Sequence, residues 1–442
     1  MGKHIDSDTR ARFDYWRTRT FYSIFIGYVF YYLTRKSYTF AMPLLVSELG
    51  LDKSELGILV TVFSITYGIS KFACGILGDK SNPRYFMGTG LILTGIFNLL
   101  FGLSSSLSLF ILFWGLNGWF QGFGWPPCAR LLSYWYSPKS RGWWWSLWST
   151  SHNVGGALIP ILVSLCIQYA GWRYALFIPG ILCILCGFLL FERMRDTPQS
   201  LGLPSAEAME GEADEKKGHI QSTRLPIRQI LIEHVLFNRY IWFLALGNFF
   251  VYVVRTGIND WSMLFLSEDR GFTLMEAGGA IPWFELGGIL GMLFAGFFSD
   301  RFVSHGRGMV SAVFMCLLSL PLLWFWLVKD GGYIESSVLL FLIGMFLFGP
   351  QMLVGCAAVE KSDKRAAGTA SGFAGVFGYL GAACAGYPFG VIIDRFGWNG
   401  FFIALIFAAL LGALCFIPLI PKASISMIKR PAYAKGAEGV PG

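Results

Sequence analysis

The sequence predicts an all-α membrane protein of 12 transmembrane helices, arranged as two pseudo-symmetric six-helix halves. Three observations predict it. Of 442 residues, 55% are hydrophobic and only 14% charged, far from the balance of a soluble domain. Apolar runs of about 20 residues recur, each long enough to cross a hydrocarbon core of roughly 30 Å as a helix. Stretches such as 86–103 and 401–419 are apolar on every face, which excludes a barrel whose strands alternate over about ten residues. Finally, short motifs recur at a separation of about half the chain.

Hydropathy and turn signals place the spans at 21–41, 56–78, 86–104, 108–128, 143–167, 172–192, 240–265, 277–299, 308–327, 336–357, 366–390 and 398–420. Residues 1–20 hold Lys3, Arg10, Arg12, Arg17 and Arg19 without a short apolar core or cleavage site, so no cleaved signal is read. The first span contains "VFYYLTRKSY", where Arg35 and Lys36 interrupt an apolar stretch. The second ends in "YGISK" and the loop "GILGDK", and the third is uniformly apolar. Glycines four apart, Gly118/Gly122 in the fourth span, Gly287/Gly291 in the eighth and Gly368/Gly372 in the eleventh, suit close helix packing. The fifth opens on "GWWWSLW", read as an interfacial aromatic belt, and continues into "TSHNVGGALIP". Cys183 and Cys186 form a C-x-x-C in the sixth with no second pair, read as helix packing, not metal or redox chemistry. Residues 193–239, with "EAMEGEADEKK", read as a solvated linker.

The expected organisation is therefore a cytoplasmic segment 1–20, a six-helix half 21–192, a cytoplasmic linker 193–239, a second half 240–420 and a cytoplasmic tail 421–442. With both termini inside, only Lys53, Arg173, Arg270, Lys329 and Arg395 fall in outer loops, and the positive-inside asymmetry fixes this orientation. The net charge of +8 thus reflects topology and does not call for nucleic acid. Arg35, Lys36, Lys71 and Arg255 remain, four cations within the spans.

An unpaired cation at mid-bilayer costs roughly 2.5–3.5 kcal/mol on insertion scales. Gly75-Ile-Leu-Gly-Asp79-Lys80 and Gly296-Phe-Phe-Ser-Asp300-Arg301 share a Gly-x-x-x-Asp-Arg/Lys pattern, and Tyr32-Leu-Thr-Arg35 and Tyr252-Val-Val-Arg255 share Tyr-x-x-Arg. Halves related by an axis along the membrane normal would bring Arg35 and Arg255 to opposite walls of one cavity. Helical spacing puts Tyr28, Tyr31, Tyr32 and Arg35 on one face, Tyr67 and Lys71 on another, and Asn248, Tyr252, Arg255 and Asn259 on a third. Asp260 and Glu285 are candidate counter-charges, but two acids do not neutralise four cations, and a guanidinium fork suits bidentate contact with phosphate oxygens. The missing partner is a phosphate-bearing substrate. The opposing reading has these cations permanently paired with the acids or snorkelling to an interface. His152, beside Asn153, is a further candidate donor to phosphate.

The Asp79 and Asp300 loops resemble the signature of the major facilitator superfamily. "GYVFYYLTRKSY", "YGISKFACGILGDKSNPRYFMG", "GWPPCARLL", "SHNVGGALIPI" and "YVVRTGINDW" resemble the organophosphate:inorganic phosphate antiporter family over about residues 10 to 420. Within it the chain is most similar to the bacterial hexose-phosphate branch, which includes a membrane-bound sensor, and to the glucose-6-phosphate translocase, which shares "GWPPC". The resemblance implies exchange of a sugar phosphate for inorganic phosphate, with Arg35 and Arg255 binding the phosphoryl group. Lys71, His152, Tyr28 and Tyr32 match further family positions; Tyr67, Asn153, Tyr252 and Asn259 join them as candidate substrate-binding residues. Cross-half ion pairs are expected between Lys36 and Asp260 and between Lys71 and Glu285, with Asp79 and Asp300 in gating loops.

No nucleophile with an oriented base and no His/Cys cluster is visible, so neither enzymatic chemistry nor a metal or other cofactor is expected. The expected partners are inorganic phosphate and a hexose phosphate, glucose 6-phosphate foremost, and the lipid bilayer, for a monomer in a bacterial inner membrane. The main alternative is a receptor that binds hexose phosphate and signals to a partner histidine kinase. A facilitator for uncharged sugars fits the fold but leaves the cations unexplained.

Overall fold

The computed structural model describes residues 6–210, 235–301, 307–328, 331–360 and 367–420. They are helical almost throughout. The first half comprises α1 (Ser7–Leu49), α2 (Lys53–Lys80), α3 (Pro83–Leu103), α4 (Leu107–Gln121), α5 (Trp125–Trp135), α6 (Pro138–Ala170) and α7 (Tyr174–Arg193). A short helix α8 (Ala206–Met209) precedes the second half: α9 (Arg239–Glu268), α10 (Leu274–Ala280), α11 (Pro282–Arg301), α12 (Arg307–Leu327), α13 (Tyr333–Glu360), α14 (Ala367–Cys384) and α15 (Tyr387–Phe416). Most of the charged linker and the whole expected tail lie outside the described residues.

Local chemistry sets these boundaries. Gly50 ends α1 in the left-handed conformation, φ 66°. Asn82 caps α3, its side chain accepting from the Arg84 amide, with Pro83 at the first turn. Thr273 and Glu276 form a reciprocal capping box on α10. The fourth span is not continuous as expected: α4 stops at Gln121, and α5 restarts at Trp125 with proline in its first turn, because Pro126 and Pro127 bring no amide hydrogen to an unbroken ladder. Pro282 divides the eighth span in the same way.

Eight of the described helical stretches are long and apolar enough to cross a membrane, making this a multi-pass membrane protein. The last of them, Thr369–Leu419, runs 51 residues and is bent at Gly397, φ 64°, so it accommodates two crossings. With α1, α2 and the broken α4–α5 pair added, the described residues accommodate the 12 spans. Helix α1 starts well before residue 21; its first turns pack Phe13 and Phe21 against Trp135, Tyr136 and Trp144.

Within the first half α3 packs on α7, α1 on α6 and α2 on α4; within the second α11 packs on α13, α9 on α14 and α12 on α15. Glycines permit two of these approaches. A Cβ on Gly287 or Gly291 would lie 1.9 or 2.0 Å from the carbonyl oxygens of Phe341 and Met345, and one on Gly118 or Gly122 would collide with Thr66 or Ser70. Gly372, by contrast, faces open space.

The halves meet along α1–α9, α2 with α14 and α15, and α6 with α10 and α11. One end of these seams is tight. There the Thr61 hydroxyl donates to the Ala383 carbonyl at 2.8 Å, Ser164 donates to the Leu274 carbonyl at 2.8 Å, and Lys53 pairs with Glu268 at 3.2 Å. The Asp394 carboxylate of α15 accepts from the Lys53 and Ser54 amides at the start of α2, at 3.2 and 2.8 Å. Toward the other end, no atom of the described residues lies within 4 Å of a Cβ built on Gly355, Gly372 or Gly375.

Candidate functional site

Between the halves lies a cavity of about 240 Å³. Helix α1 contributes Tyr28, Tyr32, Arg35 and Lys36; α2 contributes Ser64, Tyr67 and Lys71; α6 contributes Trp145, Trp148, Ser149 and His152. From the second half come Tyr252, Arg255, Thr256, Asn259 and Asp260 on α9, Gln351 on α13 and Tyr379 on α14. Of the ten residues expected to bind substrate, nine line this space; Asn153 does not.

The two arginines are held by aromatic and neutral groups. Arg35 Nε donates to Gln121 Oε1 at 3.2 Å and Nη2 to the Tyr67 hydroxyl at 3.3 Å, while its Cζ stands 4.4 Å from the Tyr32 ring centroid and 4.6 Å from that of Tyr67. Gln121 is itself fixed: its Nε2 donates to the Tyr31 carbonyl at 3.1 Å and to the Thr34 hydroxyl at 3.2 Å. Arg255 Cζ lies 5.1 Å from the Phe348 ring and 5.6 Å from that of Tyr252. Among the described residues neither guanidinium forms a salt bridge. Cation–π contact offsets part of the cost of removing them from water, about 2 kcal/mol or more when desolvated, yet leaves guanidinium hydrogens available to an incoming anion.

Beside the arginines, on the α1–α9 seam, Lys36 Nζ pairs with Asp260 Oδ1 and joins the halves. The second expected pair does not form. Lys71 Nζ instead reaches the Tyr379 hydroxyl at 3.4 Å and lies 5.6 Å from the Trp125 ring, whereas Glu285 Oε2 accepts from Asn153 Nδ2 at 2.9 Å. Lys71 is on α2, which packs on α14 and α15; Glu285 is on α11, which packs on α6. The two therefore occupy different seams. Asn153 consequently serves that α6–α11 contact. The side chains of Asp79 and Asp300 lie outside the described residues.

Two stripes are also narrower than their spacing suggests. The Tyr31 hydroxyl donates to the Met87 carbonyl at 2.9 Å, within the first half, and Asn248 Nδ2 donates to the Ala374 carbonyl at 2.8 Å. Both hold helices together. The aromatic run at the head of α6 departs from a purely interfacial role, since Trp145 and Trp148 line the cavity while Trp143 is exposed. Residues 145, 148, 149 and 152 fall on one helical face, and that spacing relative to His152 was the available signal. Tyr379 and Gln351 carried no comparable mark in the sequence.

The Major Facilitator Superfamily model matches residues 24–386. The chain belongs to this superfamily. Among curated relatives of this superfamily member, a Chlamydia muridarum protein named "Probable hexose phosphate transport protein" is 53% identical over 420 residues, covering 92% of each chain. The "Membrane sensor protein UhpC" of Escherichia coli is 46% identical over 410 residues, 93% of each. The "Hexose-6-phosphate:phosphate antiporter" of Escherichia coli is 34% identical over 424 residues, 92% of this chain and 90% of that one.

Proposed function

We propose that this superfamily member is a secondary antiporter that exchanges a hexose phosphate, glucose 6-phosphate foremost, for inorganic phosphate. One observation carries the reading: Arg35 and Arg255, at matching positions of the two halves, line one cavity without a salt bridge to any described carboxylate. A phosphoryl dianion supplies acceptor oxygens to both forks at once. His152, Lys71 and the hydroxyls of Tyr28, Tyr32, Tyr67 and Tyr252 surround that group, and Asn259 lines the same cavity from the second half. The names of the relatives support the substrate class.

Transport then follows alternating access. The domain limits are 21–192 and 240–420, the termini are cytoplasmic, and the membrane is a bacterial inner membrane. In this orientation the seam at Lys53, Thr61 and Asp394 is the outer closure, and the cavity opens inward. In the empty carrier the two guanidiniums repel each other across the cavity; a bridging phosphate removes that repulsion and draws the halves together. Lys36–Asp260 is the ion pair that must rearrange as they rock, with Glu285 at the α6–α11 contact and Asp79 and Asp300 in the gating loops. Exchange, not net flux, results because the empty carrier reorients slowly.

Proteoliposomes loaded with inorganic phosphate are expected to accumulate glucose 6-phosphate, and liposomes without internal phosphate to accumulate little. Equal uptake in both would overturn the proposal. The identity to the sensor protein supports a second reading, a receptor using the same phosphate site to engage a histidine kinase. Binding of glucose 6-phosphate with no counterflow by the purified protein would decide for it.

A further inference from the structure

The cavity is rich in donors. Arg35, Arg255, Lys36, Lys71 and the tyrosine hydroxyls can all donate, and the phosphoryl dianion of a phosphate ester can only accept. Gln351 contrasts with them. Its side-chain oxygen is buried and has no hydrogen-bond partner among the described residues, although the residue lines the cavity. A buried carbonyl oxygen left unmatched is costly, so an unmatched acceptor on a residue that lines the cavity asks for a donor from the ligand.

Its position is defined by α13. Phe348, against which the Arg255 guanidinium rests at 5.1 Å, lies three residues before Gln351 on the same helical face. Gly355, four residues after it, faces open space. Gln351 is thus about one helical turn, roughly 5 Å, from the ring that positions Arg255, on the side toward Gly355. A phosphoryl group bridging the arginines turns its oxygens to their forks, which leaves the part of the ligand that extends from the phosphate to supply a donor to this oxygen. In a phosphorylated sugar the available donors are hydroxyl groups.

Resting on the phosphate-binding reading above, we infer that Gln351 Oε1 accepts a hydrogen bond from a sugar hydroxyl and so selects a polyhydroxylated organophosphate over inorganic phosphate. Thr256 and Asn259, on the neighbouring wall of α9, stand where further hydroxyls of the same ring can be reached. The walls divide accordingly: charged and phenolic groups take the phosphate, and neutral polar groups of the second half take the sugar.

The test uses full-length protein in proteoliposomes, with exchange of radiolabelled inorganic phosphate as the readout and glucose 6-phosphate and its monodeoxy analogues as competitors. In wild type, one deoxy analogue is expected to compete about tenfold more weakly than the parent. In Gln351→Met, and in Gln351→Leu as a second apolar variant, the half-saturation ratio of glucose 6-phosphate to phosphate rises about tenfold and discrimination against that analogue disappears. A ratio within twofold of wild type in either active variant overturns the inference. Loss of phosphate exchange in both variants also overturns it, because Gln351 would then serve the phosphoryl group itself. Failure of the underlying phosphate reading is separate, since wild type would then exchange no phosphate.

Discussion

Arg35 and Arg255 are legible in the sequence because a guanidinium among apolar helix residues is costly, and because the second lies in a repeat of the first. The surroundings that make them usable were not legible. Gln121 is a neutral residue in a helix, indistinguishable by composition from any packing amide, and only the helix arrangement brings its Oε1 to Arg35 Nε at 3.2 Å. This geometry makes a specific demand on the guanidinium. Lysine at position 35 would keep the charge but could not satisfy Gln121 and Tyr67 while presenting a planar edge to phosphate. Arg35→Lys and Arg255→Lys are each expected to slow phosphate exchange about 100-fold, corresponding to about 2.7 kcal/mol for a lost charge-assisted fork. Exchange within threefold of wild type would remove the proposed role. Gln121→Leu should act more mildly, weakening phosphate half-saturation about fivefold because Arg35 keeps its charge and its aromatic contacts but loses an orienting bond; unchanged half-saturation would count against that positioning role.

At the scale of elements, periodicity identifies a helix face but not the neighbour that covers it. That is why Tyr28 and Arg35 reach the cavity while Tyr31, on the same nominal stripe, bonds to Met87. It is also why Lys71 and Glu285 could be paired on charge alone although α2 and α11 follow different seams. Glycine spacing was more informative, with one exception that supplies a control. Gly287→Ala would place a methyl group against the Phe341 carbonyl, 1.9 Å away, between closely packed α11 and α13. Overpacking of this kind costs about 1–3 kcal/mol, so the thermal midpoint of the detergent-solubilised carrier should fall. Gly372→Ala meets only open space and gains helix propensity, about 1 kcal/mol at most, so its midpoint should hold or rise. Equal midpoints for the two variants would contradict the packing described for α11 and α13.

For the whole molecule, the question is what keeps one end closed while the cavity is empty. The cationic walls favour separation, so the closure must draw on contacts elsewhere, and the seam of α2 with α14 and α15 supplies them. Asp394 accepts from two amides at the start of α2, performing across the interface what an N-cap residue does within one helix. Its negative charge also faces the positive end of the α2 dipole, and Thr61 adds a bond from its hydroxyl to the Ala383 carbonyl while accepting from the Tyr387 amide, both at 2.8 Å. An N-cap is worth about 0.5–2 kcal/mol, enough to change a two-state population several-fold to tenfold or more. Asp394→Ala should therefore raise the fraction of carriers open at this end, visible as a longer distance between spin labels placed near Glu48 on α1 and Arg395 on α15. Asp394→Asn, which keeps acceptor oxygen but loses charge, should give a smaller shift. Saturating phosphate acts on the cavity and not on this seam, so the ordering of the three proteins should persist with ligand present. Identical distance distributions in all three would mean that the seam follows the conformational balance without setting it.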